Sequence, residues 1–337
     1  MVLNLALNHR AKGERSTNYT VVMEITFGLM KMGEDYWVGG SEGMSIREPR
    51  QLVKRGYQII VPTDFSAGST TALAFAASIA RPGDKLTSVH AIDPLAYQFG
   101  SHESSNSRRQ VEWSAAQLQM AQWLQLNKCG RRVETALIEG EPAQAVAEFV
   151  KEKGGNLLVI ATSGRQHAGR LLLGSVAEEI FRMSNCPVMV LGPKARVRKT
   201  QKITRLVFAT DLEPHSLAVF SKVLSIAQRL RVGVLVLRVV DSPAKSRIER
   251  DKIRSAMKVE LEVSASPKLL KHLHEIHVTF APPLKGIISY SSRTKASAIV
   301  MGIRSGGELT RAATHIPWTF VHRVIAEATC PVITIRG

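Results

Sequence analysis

Cysteine is scarce in this chain. Three thiols, Cys129, Cys186 and Cys330, stand among 337 residues. They spell no CxxC pair, so neither a disulfide framework nor a zinc ribbon is written here. Cys186 and Cys330 each precede a proline at the start of an apolar run, the setting of a small buried hydrophobe. Nothing in this pattern asks for an oxidising compartment. Long apolar runs are missing as well. The stretch Thr20 to Met30 is interrupted by Glu24 and falls short of the roughly 20 residues a spanning helix needs. The start, Met1 to Arg10, carries only a brief apolar stretch and no secretory pattern. The expectation is a cytoplasmic protein with no membrane partner.

Several signatures of chemistry are also lacking. There is no Walker A glycine–lysine loop, no HExxH, and no Ser-His-Asp arrangement. His272, His274 and His277 fall across a helix end and a strand without supplying the four ligands of a structural metal site. The expectation is therefore no catalytic residue and no protein-held metal. Aromatic residues make up 6%, and few of them accompany the positive charge, which is unlike a nucleic-acid reader.

Basic residues are plentiful, and they are not spread evenly. Of the net +17, residues 1–52 contribute nothing, with six basic and six acidic side chains. Residues 53–193 hold 14 basic and 12 acidic, and residues 194–337 hold 25 basic and 10 acidic. The excess belongs to the second half, where it is either a solvated surface or a means of attracting an acidic partner.

The chain also repeats itself. Ile59-Ile60-Val61-Pro62-Thr63-Asp64 returns as Leu206-Val207-Phe208-Ala209-Thr210-Asp211, 147 residues on. Cys186-Pro187-Val188-Met189-Val190 returns as Cys330-Pro331-Val332-Ile333-Thr334, 144 residues on. Apolar runs of strand length alternate with amphipathic stretches of helical period in both copies, which argues for parallel sheets with helices on both faces. The expected fold is α/β, two tandem doubly wound parallel-sheet domains of Rossmann-like type. The expected boundaries are a poorly ordered N-terminal extension at 1–52, a first domain at 53–193, a basic linker at 194–202 and a second domain at 203–337. For the extension, a disordered leader, a pairing segment and an upstream addition before a start at Met44 all stay open. In the second copy the pattern predicts one long helix from Ser246 to His272. The closing strands, Pro187–Leu191 and Pro331–Ile335, are expected at sheet edges, where the two copies can pair within the chain.

In such sheets ligands sit beyond the carboxyl ends of the strands, where strand order reverses. Three elements of the first copy converge there: Pro62-Thr63-Asp64, then His90-Ala91-Ile92-Asp93, then a loop from Gly164 to Gly174-Ser175 that opens a helix. A helix start offers unpaired N–H groups and the positive end of its dipole to phosphate, and glycine lets the backbone come close.

These residues resemble the universal stress protein family. The resemblance rests on the Asp after the first strand, the Gly-x2-Gly-x9-Gly-Ser spacing, Leu-Leu-Leu-Gly-Ser-Val-Ala-Glu, and the closing Cys-Pro-Val. It covers about 55–192 and 203–336. It implies an open parallel α/β fold similar to the adenine nucleotide alpha hydrolases, and, for one branch, binding of ATP with or without Mg²⁺. Carried over, Asp64 would meet the ribose or metal–phosphate region. Pro62, Thr63 and Ala91 would line the adenine side. Gly164, Arg165, Gly174, Ser175 and Val176 would surround the phosphates. The first copy departs from the pattern at Ala161, where the family has its first glycine. The second departs further: Gly302 keeps that first glycine, Ser305 takes the second, and His315-Ile316 stand where Gly-Ser is expected by count.

The resulting expectation is an ATP-binding regulatory or protective protein of the stress response, with its ATP site in the first domain only. The implied assembly is an intramolecular pseudo-dimer, with a homodimer and an unidentified protein partner as further possibilities. Two other readings stay open: a slow ATPase, and a nucleotide-free module whose basic second half docks an acidic partner.

Overall fold

In the computed structural model of the chain the described residues are 21–23, 56–98, 102–127, 132–162, 166–167, 170–171, 175–197, 202–243, 246–303 and 315–337. In the first half, β1 (Val21–Met23) and β2 (Gln58–Pro62) are followed by α1 (Ala67–Ile79), β3 (Lys85–Ile92), α2 (His102–Leu126), β4 (Glu134–Glu139), α3 (Pro142–Glu152) and β5 (Leu157–Ala161). A small hairpin, β6 (Gln166–His167) and β7 (Arg170–Leu171), then precedes α4 (Ser175–Met183) and β8 (Val188–Leu191). The second half runs β9 (Arg205–Ala209), α5 (Pro214–Leu230), β10 (Gly233–Val240), α6 (Arg247–Val263), α7 (Pro267–Leu270) and β11 (Leu273–Phe280). It closes with α8 (Pro283–Arg293), β12 (Ala298–Ile303), α9 (His315–Glu327) and β13 (Val332–Arg336).

Local chemistry sets the helix limits. Ser66 caps α1 by accepting from the Ser69 N–H, and Glu141 caps α3 by accepting from Ala143 and Gln144 N–H, with Pro142 at the first helical position. Ser246 does the same for α6 through the Glu249 N–H. The single helix expected from Ser246 to His272 is two. α6 ends at Val263, and Pro267 starts α7, because Pro267 has no N–H to continue the ladder and disfavours helical backbone at Ser266.

All the strands except the small hairpin join one eleven-stranded sheet, in the order β1-β4-β3-β2-β5-β8-β13-β12-β9-β10-β11. Within each half, the strands from β2 onward pair in parallel. β1 adds antiparallel to β4, with Val22 opposite Ala136. The closing strands lie in the middle of this sheet, since β8 pairs antiparallel with β13. Their side chains are core: Val188, Met189, Val190, Val332 and Ile333 are all buried, and each contributes roughly 1.5–3 kcal/mol by leaving water.

Side chains also bind the halves to each other. The Arg229 guanidinium reaches from α5 to Asp84 and lies 3.7 Å over the Tyr57 ring. Asp84, with a side chain only 1% exposed, also accepts from the Tyr57 and Arg81 N–H groups. Arg336 donates to the Ser184, Phe181 and Arg182 carbonyls at the end of α4, where the helix dipole favours a cation. Among the described residues no helix is long and apolar enough to cross a membrane.

Candidate nucleotide site

The loop after β2 is built from its own sequence. Thr63 is buried, and its N–H donates to the Val89 carbonyl at 2.8 Å. Its hydroxyl accepts from the Phe65 N–H. Asp64 Oδ1 accepts from the Ser66 N–H at 3.0 Å. Phe65 pays for this tight turn with φ at +61°. Burial alone would raise the Asp64 carboxyl, but hydrogen bonds from Ser66 and Ser69 outweigh it and hold the group below the usual carboxylate range. The carboxylate is thus charged, exposed and fixed in direction.

His90 supports the loop from β3. Its Nδ1 lies 2.8 Å from the Thr63 carbonyl. A carbonyl only accepts, so Nδ1 carries the proton and Nε2 is left as an acceptor. Phe65 covers the imidazole, with ring centroids 4.5 Å apart. Burial pushes the His90 pKa down against the opposing effects of Thr63 and Asp64. Sequence reasoning placed His90 near the site without this role. The clue available was its place one residue after Val89, which anchors Thr63.

Of the residues expected at the site, Pro62 ends β2, Ala91 sits on β3 opposite Ile138 of β4, and Ser175 opens α4 with Val176 exposed beside it. Because β3, β2 and β5 are parallel neighbours, Pro62, Thr63, Asp64 and Ala91 share one end of the sheet with the loop that leaves β5. A Cβ at Gly68 of α1 would lie 3.4 Å from the Thr162 carbonyl and 3.8 Å from the Ala161 Cβ, so α1 starts against the end of β5. Gly164, Arg165 and Gly174 lie outside the described residues.

Ala161, the departure from the glycine pattern, thus sits where the strand meets α1 at Gly68. The second half inverts the choice. Gly302 stands at the same strand position, and a Cβ there would come within 3.1 Å of the Ser216 Cα in α5. The contact is tight against an added Cβ only on the strand of the second half; at Gly68 a Cβ would make ordinary van der Waals contacts.

The second half repeats the loop and alters what surrounds it. Leu212 has φ at +62°, its N–H donates to the Thr210 hydroxyl, and Asp211 Oδ1 accepts from Glu213. Thr210 N–H donates to the Leu237 carbonyl, so Arg238 stands where His90 does, with Nη1 buried and without a partner among the described residues. Glu139 closes β4 opposite Ile92 and takes a two-point ion pair from Arg109 at 2.9 and 2.5 Å. Phe280 closes β11 opposite Val240, and Arg250 lies 5.8 Å over its ring instead.

The helix after the fourth strand differs most. α4 starts 11 residues before Cys186, whereas α9 starts 15 before Cys330. α9 is longer by about one turn at its start, so at the 144-residue spacing of the closing strands Ser175 matches Thr319, inside the helix. Counting forward from Ser305 points to His315-Ile316; counting back from the cysteines places the change at Trp318-Thr319.

A repeated parallel α/β unit, with an aspartate loop after the first strand and a helix start after the fourth, defines the class. The sequence profile of the Universal stress protein family matches residues 57–192 and again 202–336, and the chain belongs to that family as a tandem of two such units. It is 30% identical over 151 residues to universal stress protein MJ0531 of Methanocaldococcus jannaschii, covering 43% of this chain and 86% of that one. It is 36% identical over 62 residues to universal stress protein YxiE of Bacillus subtilis, covering 18% and 42%. A universal stress protein structure from Archaeoglobus fulgidus superposes with a TM-score of 0.58 at 16% identity, over 83% of this chain and 96% of that one. At that identity the superposition speaks for the fold.

Proposed function

We propose that the chain is an ATP-binding protein of the stress response with one nucleotide site, in the first half. The observation that carries the reading is the convergence at the ends of β2, β3 and β5: a fixed anionic Asp64, the half-buried Ala91, and the α4 start beyond the β5 loop. The donor set suits the ligand. Asp64 accepts from ribose hydroxyls or faces a phosphate-bound Mg²⁺. Pro62, Thr63 and Ala91 border the base. The first N–H groups of α4, with Ser175 and Val176 at its head, face the phosphates, and Gly164, Arg165 and Gly174 complete the loop. The second half keeps the Thr210-Asp211 turn, but its α9 extends through the place where α4 begins. That leaves no helix start at the phosphate position. The site offers binding and no evident general base, so ATP acts as a signal and any hydrolysis is slow.

The β8–β13 pairing supports an intramolecular pseudo-dimer as the working unit in the cytoplasm, with boundaries near residues 53–193 and 203–337. Calorimetry with ATP and Mg²⁺ tests the site: one site per chain is expected. Two equivalent sites, or no heat at millimolar ATP, would sink the proposal.

A further inference from the structure

The long second helix of each half is apolar on two sides. The inward side of α2 holds Ala116, Met120 and Trp123, all buried, with Leu124 packed against the same core. In α6 that side holds Ile253, Met257 and Leu261, and Met257 and Leu261 stand 137 residues after Met120 and Leu124. The outward sides match as well. Val111, Leu118 and Leu126 of α2 are 65%, 60% and 84% exposed. At the same spacing Val111 and Leu126 become Ile248 and Val263 of α6, which are also exposed.

The outward stripe of α2 is continuous. Val111, Ala115, Leu118, Gln122 and Leu126 are all exposed, and they step along the helix by four, three, four and four, the spacing of a helix–helix seam. Charge separates this stripe from the one on α6. From Trp113 to Asn127 no residue is charged. The solvent face of a surface helix usually carries charge, and depletion of charge marks the centre of a protein–protein contact. In α6 nine of 17 residues are charged, and Lys252 and Ser255 stand where α2 has Ala115 and Leu118.

We propose that two copies of this chain associate through α2, each helix packed antiparallel against the other. Self-complementarity and charge select a second copy as the occupant. With a two-fold axis beside Leu118, Val111 lies opposite the partner's Leu126, Ala115 opposite the partner's Gln122, and Leu118 beside the partner's Leu118. Apolar ends meet apolar ends, and a small side chain meets a long one. The half that carries α2 is nearly neutral, with 14 basic and 12 acidic residues over 53–193. Contact through α6 would instead confront two halves of 25 basic and 10 acidic residues, over 194–337. An isologous contact closes at two copies. The seam from Val111 to Leu126 is ~22 Å long, short enough that the association is reversible. It lies on an outer helix and is independent of the nucleotide reading.

Sedimentation velocity on the full chain, from ~1 to ~100 μM, tests it. The expected result is a dimer whose population grows with concentration. Leu118→Glu sets two carboxylates against each other at the axis and should weaken the dimer ~10-fold or more, whereas Gln122→Leu should tighten it. Val259→Glu, at an exposed position on α6, should leave it unchanged. All three positions are on the surface, and melting followed by circular dichroism at the lowest concentration reports that each variant is folded. A chain that is monomeric at the highest concentration overturns the proposal, as does assembly that grows beyond two copies. A dimer indifferent to Leu118→Glu or Gln122→Leu also overturns it. So does one broken by Val259→Glu, because the seam is then on α6.

Discussion

Met189 and Ile333 face each other across the β8–β13 pair, and they are the same position of the repeat, 144 residues apart. Their neighbours obey the same rule: Val188 faces Thr334 and Val190 faces Val332, so an approximate two-fold axis passes between Met189 and Ile333. The strand register is thus self-complementary, as an isologous contact is. The two loops that follow β2 and β9 obey it too, down to the positive φ of Phe65 and Leu212.

The symmetry is broken where the halves touch most closely. Gly192 and Arg336 are counterparts at the same spacing. Arg336 reaches the end of α4, while a Cβ on Gly192 would lie 2.1 Å from the Ile325 carbonyl oxygen of α9. Gly192→Ala should therefore push α9 away from β8 and cost ~2 kcal/mol or more. A fall in the urea midpoint with little change in slope checks this; an unchanged midpoint contradicts it.

The Arg229–Asp84 pair should behave as a buried one. Arg229→Ala strands a carboxylate whose side chain is 1% exposed, a loss of ~3 kcal/mol. Changing both partners, Asp84→Asn with Arg229→Met, should recover part of it. A double-mutant cycle on thermal unfolding measures the coupling, and additive effects would show that the pair does not act as a unit.

Nucleotide binding should be asymmetric. Asp64→Ala is expected to weaken ATP at least ~10-fold, because it removes a charge-assisted acceptor worth more than ~1.4 kcal/mol. Asp211→Ala should leave the titration unchanged, and stability changes in both variants can be read by melting in the absence of ATP.

Stability should fall on mild acidification. Burial holds His90, His322 and His277 below the ordinary histidine range, with neighbouring arginines adding to the effect on the latter two. Their folded pKa values lie below the unfolded ones, so the unfolded chain takes up protons first as pH drops through ~6.5. The penalty is absent above that point and grows below it until the folded groups titrate. His322 Nε2 is buried without a partner among the described residues, on α9 near Phe181 of α4. His322→Leu should flatten the slope between about pH 7 and 5, as read from urea unfolding at each pH.

Much of this architecture is legible in the sequence because the physics is local. Ile59-Ile60-Val61 and Leu206-Val207-Phe208 are continuous apolar runs, and only strands buried on both faces use them in this alternation. The helix starts at Glu141-Pro142 and Ser246 are equally direct, whereas for α1 the sequence offers both Ser66 and Ser69, and the structure uses Ser66. What the sequence hides is relational. Counting forward across the loop after β12 misses the longer start of α9, because a helix can gain a turn without changing the spacing of its last residues from Cys330. Arg238 reads as one more cation in a basic half; only the Thr210–Leu237 bond shows that it replaces His90. The break at Pro267 was visible, and the amphipathic pattern on either side of it concealed the stop.

Joining the two halves through β8 and β13 has a consequence for their divergence. Two separate chains that must recognise each other meet only at sufficient concentration, whereas tethered partners see each other at an effective concentration in the millimolar range. The seam here does not dilute, and each half always has its mate. A substitution such as Phe280 for glutamate or Arg238 for histidine then changes one half alone, where in a homodimer it would change both. The covalent seam lets the two copies differ at matching positions while they stay paired.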